Sequence, residues 1–254
     1  MKYLFLAFLF LFFQNCNTSE SILEKGILKG EILVSLPSPN VIPERYNVAF
    51  LIMDGVYNTE LTAPWDIFHH TKFKKNIKPM NVFLVADTYE PVLTFEGIRL
   101  LPDYNYLKDE MPKFDILVVP SAEHHLDSDL ENKVMIDFVK KTGAEAQFVT
   151  SHCDGAFVLA KAGLLSGVSS TTFPSDISKY KKMFPELKVY DEIDDKKVLF
   201  VHDGKFITSA GGAKSFEAAL YLCEYLYGKE IAKSLADGLV IDWDLENVTH
   251  VVEW

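Results

Sequence analysis

The segment QFVTSHCDGAFVLAKAGLLSG, residues 147–167, holds the residue best suited to covalent chemistry. A strand beginning QFVT runs straight into Cys153, and a helix starts within two residues of it. That is the layout of a nucleophile elbow, in which small residues two before and two after the nucleophile let the chain turn sharply; here they are Ser151 and Gly155. A thiol held there stands at a helix N-terminus, whose free amides favour the thiolate and can hold an oxyanion, the Asp154 amide first among them. Cys223 has no such setting. It lies in AALYLCEYLYG, an apolar helix face, and reads as a small core hydrophobe.

A second segment, FLIMDGVYNTELTAPWDIF, ends an apolar strand at Asp54-Gly55 and brings Glu60 just ahead of Pro64. A carboxyl group within reach of a thiol can stabilise the thiolate when protonated, or pass a proton to a substrate when its pKa is raised. The plainer reading makes Glu60 a helix N-terminal charge that complements the macrodipole. Histidines offer less. His152 adjoins Cys153, but consecutive strand residues point to opposite faces. His124 and His125 follow another strand end beside Glu123; adjacent histidines do not readily converge on one ion, so the expectation is a polar pocket rim and no metal. Gly55, Ser121, His124, His152 and Phe173 are assigned to that rim.

These residues need a scaffold, and the hydrophobic pattern supplies one. Apolar runs of strand length, VAFLIM (48–53), VFLVA (82–86), ILVVP (116–120) and QFVT (147–150), alternate with helical stretches near 62–72, 129–142, 155–162 and 214–227. Gly143, Gly163 and Gly228 are read as helix stops, and Glu96-Gly97 and Asp203-Gly204 as hairpin turns. Near-continuous apolar strands are what a parallel sheet requires when helices cover both faces. The expected fold is a doubly wound, mostly parallel α/β sandwich of flavodoxin-like or glutamine amidotransferase-like type. In such a sheet, sites form beyond the carboxyl ends of the strands, at Asp54 to Glu60, Ser121 to His125 and Ser151 to Gly155.

The chain has 254 residues and a net charge of −11, which disfavours nucleic-acid binding because phosphate neutralisation needs a basic face. Lys2 precedes the apolar run Tyr3 to Phe13, which is followed by Gln14, Asn15 and Cys16. The run is shorter than the ~20 residues a membrane-spanning helix needs, and it reads as a signal peptide. A cysteine directly after it, before the polar NTSE, resembles the lipidation site of bacterial lipoproteins, so Cys16 is the expected anchor of an exported protein on the bacterial periplasmic or cell-surface membrane. The expected organisation is a signal peptide over 1–15, a lipidated N-terminus and Pro/Gly-containing tether over 16–45, an α/β domain over 46–236, and an acidic, aromatic tail over 237–254.

The elbow and the Gly55, Glu60, Pro64 spacing together resemble the ThiJ/PfpI superfamily, of class I glutamine amidotransferase-like fold. The likeness is to its isonitrile hydratases and to the amidase-like domain of AraC-type regulators. The family pattern Cys-x-Gly-Ala-x-x-Leu-Ala-x-Ala-Gly-Leu-Leu-x-Gly is met by Cys153, Gly155, Ala156, Leu159, Ala160, Ala162, Gly163, Leu164, Leu165 and Gly167. DGKFITSAGGAKSFEAALYL resembles the family's last hairpin and helix. Two departures stand out. Phe173 occupies the place where many relatives carry a histidine, and Ser121 and Ala122 replace two glycines, so the second oxyanion amide, that of Ala122, is expected to sit differently from the family's arrangement. The resemblance implies a cysteine-dependent hydratase or amidase acting on a small molecule, with Cys153 as nucleophile and Glu60 as acid/base, no cofactor, and a homodimer. A second reading, motivated by Phe173 and Ser121, is a non-catalytic redox-responsive thiol or binding module on a decayed enzyme fold.

Overall fold

The structure is a computed structural model that describes residues 39–253. The signal peptide, Cys16 and the tether up to residue 38 lie outside those residues. Among the described residues no helix is long and apolar enough to cross a membrane.

An eight-stranded sheet forms the middle layer. In chain order its strands are β1 (Tyr46–Leu51), β2 (Met80–Ala86), β3 (Tyr104–Asn105), β4 (Ile116–Val119), β5 (Phe148–His152), β6 (Phe200–Asp203), β7 (Phe206–Ser209) and β8 (His250–Glu253). Their order across the sheet is β8-β6-β7-β5-β4-β1-β2-β3. Within this sheet, among the described residues, the β6–β7 hairpin is antiparallel and the other pairings are parallel. The helices are α1 (Asn58–His70), α2 (Lys133–Glu145), α3 (Gly155–Lys161), α4 (Ile177–Met183), α5 (Ser215–Tyr227) and α6 (Lys229–Gly238).

The apolar strands sort their side chains between two cores by simple alternation. Val48, Phe50, Ile116 and Val118 face the layer that includes α1, α5 and α6, whereas Ala49, Leu51, Leu117 and Val119 face that of α2, α3 and α4. This is the doubly wound sandwich expected from the strand patterns.

Several boundaries differ from the sequence reading. Gly143 does not stop its helix; it is buried within α2, and a Cβ there would stand 2.6 Å from Leu164 Cδ1, so the glycine serves helix packing. The compact unit begins at Pro39, ahead of the expected start, and the Asn81 side chain donates to Ile42 O at 2.9 Å. As far as residue 253, the stretch after 236 is not a separate tail. Trp243 is buried and donates through Nε1 to Glu224 at 2.7 Å, and β8 closes the sheet edge against β6. An acidic stretch could dock because its aromatic and β-branched residues supply the apolar face and its Glu253 carboxylate meets Lys188 and Tyr190.

Candidate active site

β5 and α3 are joined by Cys153 and Asp154 alone, and this junction is the elbow. Cys153 has φ of 53°, a left-handed conformation that a non-glycine residue adopts at a cost of about 1–3 kcal/mol. The surroundings enforce it. Cys153 N donates to Ser209 O at 3.0 Å on β7, and the Thr172 hydroxyl donates to Cys153 O at 3.0 Å. Gly155 must lack a side chain, since a Cβ there would lie 2.1 Å from Val119 O. Gly211, with φ of 79°, is pressed against the other side, where a Cβ would lie 2.3 Å from Cys153 Cβ.

Glu60 enters from the first turn of α1. The helix carries Pro64, which has no N–H, so the Glu60 carbonyl four residues earlier lacks its usual helical donor. The Glu60 side chain is 6% exposed; Oε1 accepts from the Gly212 amide at 3.1 Å, and Oε2 is buried with no hydrogen-bond partner. Burial raises its pKa to about 7, aided by the Asp154 charge, while the Gly212 amide, the Cys153 side chain and the Ser121 amide pull it down.

The thiol does not follow the expectation drawn from the helix N-terminus. Burial, then the charges of Glu60 and Asp154, push the Cys153 pKa up, and the Ser121 hydroxyl and Asp154 amide only oppose this. The reason is structural: α3 has seven residues, a short helix for a macrodipole, and Cys153 is only 6% exposed. Ser121 Oγ is itself buried and, beside the thiol, has no partner of hydrogen-bonding geometry.

Other sequence-assigned residues divide. Ala122 pairs with Val56 in an antiparallel bridge, flanked by Tyr57 N to Ser121 O at 3.0 Å and Glu123 N to Gly55 O at 3.0 Å. This bridge holds the loop after β4 against the loop after β1 and so carries Ser121 to the site. Gly55 and His124 line a groove of about 250 Å³ with Asp54, Leu93, Thr94, Phe95 and Glu123. His152 is not on the rim. It is 1% exposed, its Nδ1 lies 3.0 Å from Ser209 Oγ, and burial pushes its pKa down to about 3, leaving it neutral. Phe173 is exposed, whereas Thr172 beside it is buried and bonded to the elbow.

Four residues of the site escaped the sequence reading. Tyr57, two after Gly55, has its hydroxyl pKa raised by burial and then by the charges of Cys153, Glu60, Glu123 and Asp154, so its hydroxyl senses the charge of the site. Its ring lies 4.8 Å from that of Phe95. Thr172 sits in a serine/threonine run with no distinguishing pattern. The Gly211-Gly212 pair after β7 was a readable signal, because two glycines after a strand mark a close backbone approach.

Comparison with known proteins agrees with this architecture. Drosophila melanogaster dj-1beta is 32% identical over 195 residues, covering 76% of this chain and 96% of that protein. Isonitrile hydratase of Pseudomonas putida is 28% identical over 186 residues, covering 73% and 74%. The crystal structure of the Drosophila melanogaster DJ-1beta superposes with a TM-score of 0.65 and 25% identity over 78% of this chain and all of that one. The profile of the DJ-1/PfpI family matches residues 46–225, which span β1 to α5 and every residue of the elbow, and the chain belongs to that family.

Proposed function

We propose that the protein is a cysteine-dependent enzyme of the hydratase or amidase type, acting on a small electrophile through Cys153 and Glu60. One observation carries the reading. A strained cysteine is held in place against Gly211 and Ser209, with a buried carboxyl beside it whose second oxygen is unpartnered. A site that stores backbone strain and leaves a buried carboxyl oxygen free is arranged for a reacting group. Similarity to an isonitrile hydratase supports the same reaction class.

With its pKa near 7, Glu60 holds a proton over much of the physiological range and releases it within that range. Cys153 Sγ attacks the electrophilic carbon while Glu60 gives its proton to the atom that gains negative charge and takes up the thiol proton; water then adds to the same carbon, the C–S bond breaks, and the sulfur leaves with the bonding pair and is reprotonated. The Asp154 amide, which bonds the Cys153 side chain, is the first donor offered to the developing charge. The redox-responsive alternative draws on the same Cys153 thiolate, so the burial that raises its pKa weighs on both readings alike, and turnover of a substrate is what separates them. Export and anchoring through Cys16 belong to the same proposal, supported by the apolar run Tyr3 to Phe13 and the polar residues after Cys16. So does a homodimer, supported by the family resemblance.

The test is turnover of a panel of small isonitriles and amides by the full chain, followed by chromatography of the products. Cys153→Ser should abolish turnover, and Glu60→Gln should reduce it by about a hundredfold or more. Turnover undiminished in Cys153→Ser would overturn the proposal.

A further inference from the structure

Asp154 stands at the N-cap of α3, the position where an aspartate ordinarily accepts from the amides of the first turn. It does not do so: no hydrogen bond from its side chain caps the helix. Its carboxyl is 7% exposed and turned instead to Thr172, whose Oγ1 lies 3.0 Å from Asp154 Oδ1. The same Thr172 oxygen lies 3.0 Å from Cys153 O. A hydroxyl has one hydrogen, and a peptide carbonyl only accepts. The two contacts are therefore both full hydrogen bonds in one state alone, with Asp154 protonated and donating to Thr172 while Thr172 donates to Cys153 O. With Asp154 ionised, Thr172 turns its hydrogen to the carboxylate, and Cys153 O keeps the Ala156 amide at 3.4 Å.

We propose that the Asp154 carboxyl is the second proton carrier of this site, held by the Thr172 hydroxyl, and that it acts as general base in the step that frees Cys153. This rests on Cys153 being the nucleophile and gives the site the base that Phe173 does not supply. In that step water attacks the carbonyl carbon of a Cys153 thioester, Asp154 takes the proton from the water, the C–S bond breaks, and the sulfur leaves with the bonding pair and is reprotonated. The groups that face Asp154 are the Cys153 side chain, Thr172, Asp176, Lys179 on α4, Glu60 and Tyr57. Burial and the Asp176 charge raise the Asp154 pKa to about 6, and Thr172, Cys153 and Lys179 lower it, so the carboxylate forms below neutral pH and is available as a base.

p-Nitrophenyl acetate is the probe, used with the full chain. Its acyl group passes to Cys153 in a burst of nitrophenolate, and the steady-state rate then reads hydrolysis of the thioester. We expect that rate to rise with pH through a midpoint near 6. Asp154→Asn should keep the burst and lower the steady-state rate by about a hundredfold. Thr172→Val should keep the burst and move the midpoint upward, because the charge-assisted hydrogen bond that Thr172 gives the carboxylate is stronger than the neutral one it accepts from the protonated acid, and Thr172→Ser should restore it. A burst followed by an unchanged steady-state rate in Asp154→Asn, or an unmoved midpoint in Thr172→Val, would overturn the role of Asp154 and leave Cys153 as nucleophile. Wild-type protein with no burst beyond that of Cys153→Ser would remove the nucleophile, and the present proposal with it.

Discussion

Gly211 and Cys153 are packed so closely that a Cβ on the glycine would stand 2.3 Å from the Cβ of the cysteine and 2.6 Å from its amide nitrogen. Both residues also have positive φ, so two left-handed positions from different strand ends brace each other. The reactive side chain is positioned by backbone from β7 as much as by its own elbow.

Gly211→Ala is therefore expected to disable the site more than the fold. The added methyl meets backbone and Cβ atoms that cannot rotate away, and the alanine is strained at φ of 79°. Stability should fall by about 1–3 kcal/mol in denaturant titration. Alkylation of Cys153 by iodoacetamide, followed by mass spectrometry, should change in rate by more than that of Gly212→Ala, whose Cβ meets nothing within 4 Å. Equal alkylation rates in the two variants would refute this coupling.

Glu60 links stability to pH with a definite sign. Its pKa in the folded protein is about 7, above the ordinary 4.5. Below pH 4.5 both states hold the proton, so the burial of a neutral carboxyl is fully tolerated. As pH rises towards 7 the unfolded chain ionises first, and stability is lost through that window. Glu60→Gln does not titrate and keeps an acceptor for the Gly212 amide. Its stability relative to wild type should grow between pH 4 and pH 8, by up to ~3 kcal/mol. Urea titrations at the two pH values check this; a constant difference would show that Glu60 titrates normally.

The last residues should prove integral to folding. Trp243 is 3% exposed and its indole N–H is bonded to Glu224. Trp243→Ala should cost about 3–5 kcal/mol, as large-to-small changes of buried aromatics do. A loss below ~1 kcal/mol in guanidinium titration would mean that the segment docks without contributing to the core.

Much of this protein was legible along the chain because the determinants are local. The alternation of apolar strands and helical stretches follows from side-chain periodicity, and it sufficed for the doubly wound sandwich. The elbow needs only a strand, a small residue, a cysteine and a glycine in succession, and Cys153 stands there. Glu60 could be singled out because it follows Gly55 at the end of an apolar strand. The remainder depends on which distant segments meet. The Gly212 amide reaches Glu60 across 152 positions, Thr172 reaches Asp154 across 18, and Trp243 reaches Glu224 across 19. No local pattern encodes such meetings, since each side chain is ordinary in its own stretch. The direction of the Cys153 pKa belongs to the same class. The helix amides that favour a thiolate are visible in the sequence, but the burial and the two carboxyls that outweigh them arise only when the loops after β1, β4 and β5 close together over the end of the sheet.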